Sequence, residues 1–149
     1  MKIFFLTRLF SGLENSFETG KWSPNGVPTI YKIIERIDKE EDVHFYFISK
    51  DSGKGYFSNW NKKKDVKISV EGLINEVNIL SGMNYYPSWM GRKLRIYLRE
   101  IRQLIYIIYK IFKIKPDILY CDNANIITGA IISRIQTKIP VVFRLMGVN

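Results

Sequence analysis

Two apolar, strand-like segments with one helix-length segment between them constrain the fold of this chain most strongly. The strands cover residues 117–121 and 140–145, and residues 125–136 have the length of one helix. A strand, a helix and a second strand in this order form a crossover unit with parallel strands. Ligands of such sheets bind at the carboxyl ends of the strands. The sequence ends close to that point, and we therefore expect the front half of a larger protein.

Apolar patterns predict a second unit at the start of the chain. Residues 2–7 form a continuous apolar run, which is typical of a strand covered on both faces. A polar loop is expected from residue 8 to about residue 24. Apolar residues at helical spacing then predict a helix from Pro28 to about Glu41, followed by a strand over residues 43–49.

The middle of the chain is less regular. Residues 50–64 are interpreted as a loop or exposed hairpin, and residues 66–70 alternate apolar and polar side chains as a half-exposed strand does. Residues 73–80 fit either a short strand or a helical turn, and residues 81–88 a loop. A long helix is expected from residue 89 or 90 to residue 114, just before Pro116.

The alternation of strands and helices predicts an α/β fold in a single domain, residues 1–149. We expect a Rossmann-like, mostly parallel, doubly wound sheet with helices on both faces. Neither a signal peptide nor an apolar stretch of membrane-spanning length is apparent. Cys121 is the only cysteine, which excludes an intrachain disulfide and favours a reducing compartment. The chain is expected to be cytoplasmic.

Three local patterns that invite a catalytic interpretation are better explained structurally. Residues 51–55 place glycine beside lysine, but they lack the spacing of a phosphate-binding loop. His44 lies near the start of a strand rather than at its carboxyl end. Cys121 has neither a second cysteine nor a nearby histidine to form a metal site or an activated thiol. We expect no metal and no catalytic residue among them.

The long helix is basic and rich in aromatic residues. Its apolar side chains recur on one face: Leu94, Tyr97, Leu98, Ile101, Leu104, Ile105, Ile108 and Phe112. This face is expected to pack on the sheet while the charged side chains stay in solvent. A second interpretation, compatible with the first, is that the helix lies on an anionic membrane through its basic residues Arg92, Lys93, Arg95 and Arg99, which fits a peripheral location. The net charge of +9 favours anionic partners only weakly, and no nucleic-acid-binding motif accompanies it.

Two short polar segments follow predicted strands at the edge where ligands bind. Asn25 and Gly26 precede the helix that begins at Pro28, where glycine allows close approach of a ligand and the helix N-terminus favours phosphate. Asp122 and Asn123 follow the strand that begins at Asp117. Their side chains are suited either to a hydrogen bond with a sugar hydroxyl or to capping the next helix.

In order and spacing, these segments resemble the N-terminal domain of GT-B fold glycosyltransferases, in the large retaining group called glycosyl transferases group 1. The resemblance extends over nearly the whole chain. Four segments carry it: residues 2–7, Asn25-Gly26-Val27-Pro28, Lys115-Pro116-Asp117-Ile118-Leu119 and Ile139-Pro140-Val141-Val142-Phe143-Arg144.

The resemblance implies transfer of a sugar from a nucleotide-sugar donor to a glycan or glycolipid acceptor. The N-terminal lobe of such enzymes mainly holds the acceptor, and its first glycine-containing loop, here Asn25 and Gly26, approaches the donor phosphates. Asp122 and Asn123 are then expected on the acceptor side, and Met146 and Gly147 along the cleft. The nucleotide sugar is a substrate in this family, and no cofactor is implied.

Two departures from the family pattern matter for activity. Many members have His-Gly where this chain has Met146-Gly147, so a polar contact to the transferred sugar is lost or moved. No glutamate is followed by another eight positions later, as the family's E-x7-E pair in the C-terminal lobe requires. We therefore expect this chain to be inactive alone. The alternative is a non-enzymatic basic module that binds a membrane surface or a partner subunit.

Overall fold

A computed structural model describes residues 1–26, 28–49, 65–81, 87, 89–135 and 138–144. The elements follow one another as β1 (Lys2–Arg8), α1 (Ser11–Thr19), α2 (Pro28–Glu40), β2 (Asp42–Ile48), β3 (Val66–Ile68), β4 (Val77–Leu80), α3 (Arg92–Ile114), β5 (Ile118–Asp122), a 3₁₀ turn (Asn123–Asn125), α4 (Ile126–Ile135) and β6 (Val141–Arg144). The predicted segments at residues 50–64, most of 81–88, and Met146 and Gly147 lie outside the described residues.

The strands form one sheet in the order β3-β4-β2-β1-β5-β6. Strands β4, β2, β1, β5 and β6 are parallel, and β3 pairs antiparallel with β4 at one edge. From β1 the chain builds first toward β2 and then returns to the other side of β1 with β5. The described residues form a mostly parallel six-stranded sheet and four α-helices, which confirms the predicted Rossmann-like α/β fold.

Alternate residues of the central strands point to two separate apolar cores. On β1, Ile3 and Phe5 face α1 and α2, whereas Phe4 and Leu6 face α3 and α4. These four side chains are almost completely buried. Aromatic stacking links neighbouring strands in both layers, because Phe4 stacks on Tyr46 at 4.5 Å between ring centroids and Phe5 on Tyr120 at 4.7 Å. The continuous apolar run of β1 follows from burial on both faces.

The predicted polar loop after β1 is wrong in part, because it contains α1. This nine-residue helix has only two large apolar side chains, Leu13 and Phe17, one turn apart and both buried in the first core. Gly20 ends the helix in the left-handed conformation at φ 70°. Tertiary packing of these two residues stabilises a helix whose remaining sequence is polar.

The predicted sheet-facing side of α3 is also wrong. Arg99, Gln103, Ile107 and Ile111, one row at four-residue spacing, are the buried residues of this helix. By contrast, five residues of the predicted face are exposed: Leu94, Tyr97, Ile101, Ile105 and Phe112. The row that faces the sheet becomes polar at its N-terminal end, where Gln103 donates a hydrogen bond of 3.0 Å to the carbonyl oxygen of Ser81.

Candidate functional site

The order of the strands reverses between β1 and β5, whose carboxyl ends lie side by side. These strands are parallel and in register from Ile3 opposite Ile118 to Leu6 opposite Cys121. The chain leaves β1 toward the α1–α2 layer and leaves β5 toward α4. Such a switch point opens a crevice where open parallel sheets bind ligands. Arg8 and Asp122 end the two strands there.

Asp122 is fully buried at the end of β5 and joins the two strand ends. One carboxylate oxygen accepts a hydrogen bond of 3.0 Å from the backbone N–H of Arg8, and the Arg8 Nε lies 3.8 Å from it. The other oxygen accepts a bond of 2.6 Å from the side-chain amide of Asn125. Asp122 makes no capping bond to the 3₁₀ turn that follows. Asp122 therefore does not cap this turn, and its carboxylate instead holds the two strand ends together.

The segment that contains Asn25 and Gly26 is held against the first turn of α1. The backbone N–H of Asn25 donates a bond of 2.8 Å to the carbonyl oxygen of Gly12. Gly26 has φ 93°, in the left-handed region, and an added Cβ there would meet no atom within 4 Å. Both Asn25 and Gly26 are exposed to solvent. The predicted phosphate-approach segment thus lies open, two residues before α2 begins at Pro28.

A cleft of about 280 Å³ lies beside the switch point, between α3 and the start of α4. Ile48, at the carboxyl end of β2, contributes to its floor. The polar groups of the cleft are the amides of Gln103 and Asn125, the carboxylate of Glu100 and the hydroxyl of Thr128. Its remaining lining is mainly apolar: Tyr97, Ile101, Leu104, Ile107, Ala124 and Ile127. The cleft therefore has polar groups set among apolar walls, which is typical of small-molecule sites.

The rim of this cleft is strongly exposed. The side chain of Tyr97 is 64% exposed, and that of Ile127 is 76% exposed on the opposite wall. Ile105 continues the exposed apolar row of α3 one turn beyond Ile101. Contiguous exposed apolar side chains are uncommon on protein surfaces, so the rim is a candidate binding surface.

The basic residues predicted to face a membrane do not share one environment. Arg92 and Lys93 are exposed at the start of α3, and Arg95 is partly exposed. Arg99 is only 5% exposed and belongs to the sheet-facing row. The prediction that Arg99 faces outward is therefore wrong, because its position along the helix turns it toward the sheet.

The positions of the single cysteine and the single histidine along their strands agree with those expected from the sequence. Cys121 is fully buried, and burial, with the nearby charge of Asp122 as a smaller cause, raises the pKa of its thiol from 9.0 to about 12. The thiol is therefore protonated at neutral pH. His44 lies near the amino end of β2, away from the crevice. The described part of the chain contains no cluster of three or more acidic, histidine or cysteine side chains able to hold a metal ion.

Sequence reasoning identified Asp122 but missed the two residues that bind it and the amide of Gln103. Arg8 ends the first apolar run and Asn125 lies three residues after Asp122, so both positions carried a usable signal. The side chain of Asn123 is not among those described. Gln103 gave no signal, because its inward orientation depends on the rotation of α3 on the sheet.

Comparison with known proteins leaves the family of the chain open. The sequence matches no protein-family model, and none of the curated proteins searched is significantly similar.

Proposed function

We propose that the chain is the acceptor-side lobe of a glycosyltransferase, which acts on a nucleotide sugar and a glycan or glycolipid acceptor. The observation that carries the proposal is the cleft between α3 and α4, directly beside the switch point of a Rossmann-like sheet. The order of the segments that resemble the family supports the same assignment.

The polar groups and apolar rim of the cleft suit a terminal sugar, at either end, of an amphiphilic acceptor. Amide and carboxylate groups from Gln103, Asn125 and Glu100 can hydrogen-bond sugar hydroxyls. Tyr97 and Ile127 on the rim offer apolar surface to the less polar face of a sugar ring or to an attached alkyl chain. The cleft is small enough to orient one sugar unit and to leave the rest of the acceptor outside.

Sugar transfer breaks the bond between the anomeric carbon and the donor phosphate oxygen and forms a bond from that carbon to an acceptor oxygen. The acceptor hydroxyl gives its proton to the departing phosphate oxygen, and the nucleoside diphosphate leaves with the electron pair of the broken bond. The proposed role of this lobe is to hold the acceptor oxygen in place, which lowers the entropic cost of the bimolecular step. In the family that the chain resembles, the second lobe supplies most nucleotide contacts. The isolated chain is accordingly expected to bind acceptors without turnover.

Binding of hexyl β-D-glucopyranoside tests the acceptor role. By NMR titration below the micellar concentration, we expect the glucoside to bind at least fivefold more tightly than n-hexanol, because the sugar adds hydrogen bonds to the apolar contact. Ile127→Glu should weaken glucoside binding about tenfold by placing a charge on the rim.

Ile135→Glu is the matched control, since it makes the same change on α4 at an exposed position away from the cleft. It should leave glucoside affinity within twofold. Equal affinity for glucoside and hexanol, or equal weakening by the two substitutions, would contradict the acceptor role.

A second candidate function, docking on an anionic membrane surface, is favoured by the outward face of α3. Leu94, Tyr97, Ile101 and Ile105 form an exposed apolar row at helical spacing, and the exposed Arg92 and Lys93 lie at one end of it. Apolar side chains flanked by cations suit the interface of an anionic bilayer. No described helix has the length and apolar character to cross a bilayer.

Co-sedimentation with vesicles of phosphatidylcholine and phosphatidylglycerol tests this docking. Ile105→Glu is expected to lower the bound fraction at least fivefold, because it puts a carboxylate into the apolar row. Lys32→Glu on the exposed side of α2 changes charge by two units, compared with one for Ile105→Glu, and should have less effect. A larger loss with Lys32→Glu would mean that net charge, not the α3 face, governs the association.

A further inference from the structure

A cavity of about 470 Å³ lies at the amino edge of the sheet, opposite the proposed acceptor cleft. It lies on the face that α3 and α4 cover elsewhere. On β2 this face changes along the strand from Asp42 and His44 to Tyr46 and Ile48. On β4 it changes from Asn78 to Leu80. The polar side chains in the amino halves of these two strands line a groove that is open to solvent.

The C-terminal half of α3 forms the opposite wall of this groove. Lys110 and Lys113 line it from the helix, Lys2 from β1 and Lys67 from β3. Lys67 forms an ion pair with Glu76. The Nζ of Lys2 donates a bond of 3.3 Å to the carbonyl oxygen of Ile114, which compensates the partial negative charge of the helix end.

The charges that face the groove sum to a positive value. Six lining residues carry charge at neutral pH: Lys2, Lys67, Lys110 and Lys113 against Asp42 and Glu76. With one lysine paired to Glu76, three cations remain around Asp42. His44 and Asn78 stand on the sheet between them. A concave surface with low-dielectric walls concentrates such a field on a small anion.

We propose that this amino-edge groove binds a phosphate-bearing small molecule, with the phosphate between Lys110 and Lys113 and its organic part against His44 and Asn78. The cations of the lining are all lysines, which bind phosphate as point charges. The groove volume accommodates a ligand the size of a sugar phosphate or a mononucleotide. This site is separate from the proposed acceptor cleft, and each stands if the other fails.

His44 provides a direct readout, because it is the only histidine of the chain and its ring signals are unambiguous. The pKa of His44 is lowered from its usual value, mainly by burial. Asp42 opposes this shift, and Lys2 and Lys67 add smaller effects in the same direction as burial. An NMR pH titration with glycerol 2-phosphate, at ionic strength matched with sodium chloride, should raise this pKa, since a bound anion favours the imidazolium. An unchanged His44 pKa would overturn the proposal.

Paired substitutions decide which lysines are involved. Lys110→Ala with Lys113→Ala should weaken glycerol 2-phosphate binding at least tenfold, and Lys113→Ala alone, at an exposed position, at least threefold. Lys32→Ala with Lys39→Ala removes two exposed lysines from α2, in the other layer, and should change affinity less than twofold. Equal weakening by the two pairs, or succinate binding as tightly as the phosphate ester, would contradict a phosphate site in this groove.

Discussion

Replacing Gly12 with alanine is expected to lower the free energy of unfolding by about 3 kcal/mol, at the upper end of the usual cost of overpacking. The new Cβ would overlap the carbonyl oxygen of Asn25 and lie 2.7 Å from its carbonyl carbon. Both obstructing atoms belong to the backbone, so no side-chain rotation relieves the clash. The Asn25 segment must move off α1, and the bond between the Asn25 N–H and the Gly12 carbonyl oxygen is strained or lost.

Urea denaturation followed by circular dichroism measures this loss. Gly91→Ala is the matched control, because an added Cβ there meets no atom within 4 Å and its backbone does not have positive φ. We expect it to change stability by less than about 1 kcal/mol. If Gly12→Ala is as stable as Gly91→Ala, the Asn25 segment does not rest on α1 as described.

Asp122→Ala is expected to destabilise the fold by about 3 kcal/mol, as the loss of one partner from a buried charged network does. The substitution leaves the backbone N–H of Arg8 and the side-chain amide of Asn125 without their acceptor. It also removes the carboxylate beside the Arg8 guanidinium, which packs 4.8 Å from the centre of the Phe10 ring. All three groups lie at the end of β1 or β5, so the crevice itself should loosen.

The position of the carboxylate, rather than its charge alone, produces this effect. Asp42→Ala removes an exposed carboxylate at the amino end of β2 and should cost less than about 1 kcal/mol. Asp122→Asn keeps one oxygen for the Arg8 N–H and should fall between the other two variants in urea denaturation. A native-like urea midpoint for Asp122→Ala would exclude a structural role for this residue and make it a candidate for contact with a ligand.

Strands and their order in the chain could be predicted from sequence because burial on both faces leaves a continuous apolar run. The predictions for β1, β2, β5 and β6 agree with the structure to within one or two residues over the described range. Residues 73–80 stayed ambiguous because β4 has only four residues, too few for either periodicity to show. The structure shows a strand here because β4 pairs with β2, with Phe45 opposite Val77.

The rotation of α3 could not be predicted, because apolar residues occupy more than one face of this helix. Leu94, Ile101 and Ile105 are as apolar as Ile107 and Ile111, so periodicity alone did not select the buried row. The buried row is selected by contacts with parts of the chain distant in sequence, namely the packing of Ile107 and Ile111 in the second core and the bond from Gln103 to Ser81. The same rotation of α3 turns Arg99 toward the sheet and determines where the cleft lies.

Asp122 illustrates the corresponding limit at the candidate site. The sequence placed it at the correct end of the correct strand, since polar residues after buried strands collect at one edge. Its partners come from the neighbouring strand and the following turn, and only their spatial arrangement distinguishes a ligand contact from a structural bond.

Both proposed binding sites are lined by α3, which therefore sets the distance between them. The acceptor cleft is lined by α3 residues from Tyr97 to Ile107 and the groove by Lys110 and Lys113, so at about 1.5 Å per residue the middles of the two sets lie roughly 14 Å apart along the helix axis. Gln103 and the ion pair of Arg102 with Asp65 fix the helix along its axis. A helix held in this way keeps the two sites at a fixed separation and does not shift when one of them is filled. A ligand bound at one site should therefore leave the ligand affinity of the other site unchanged.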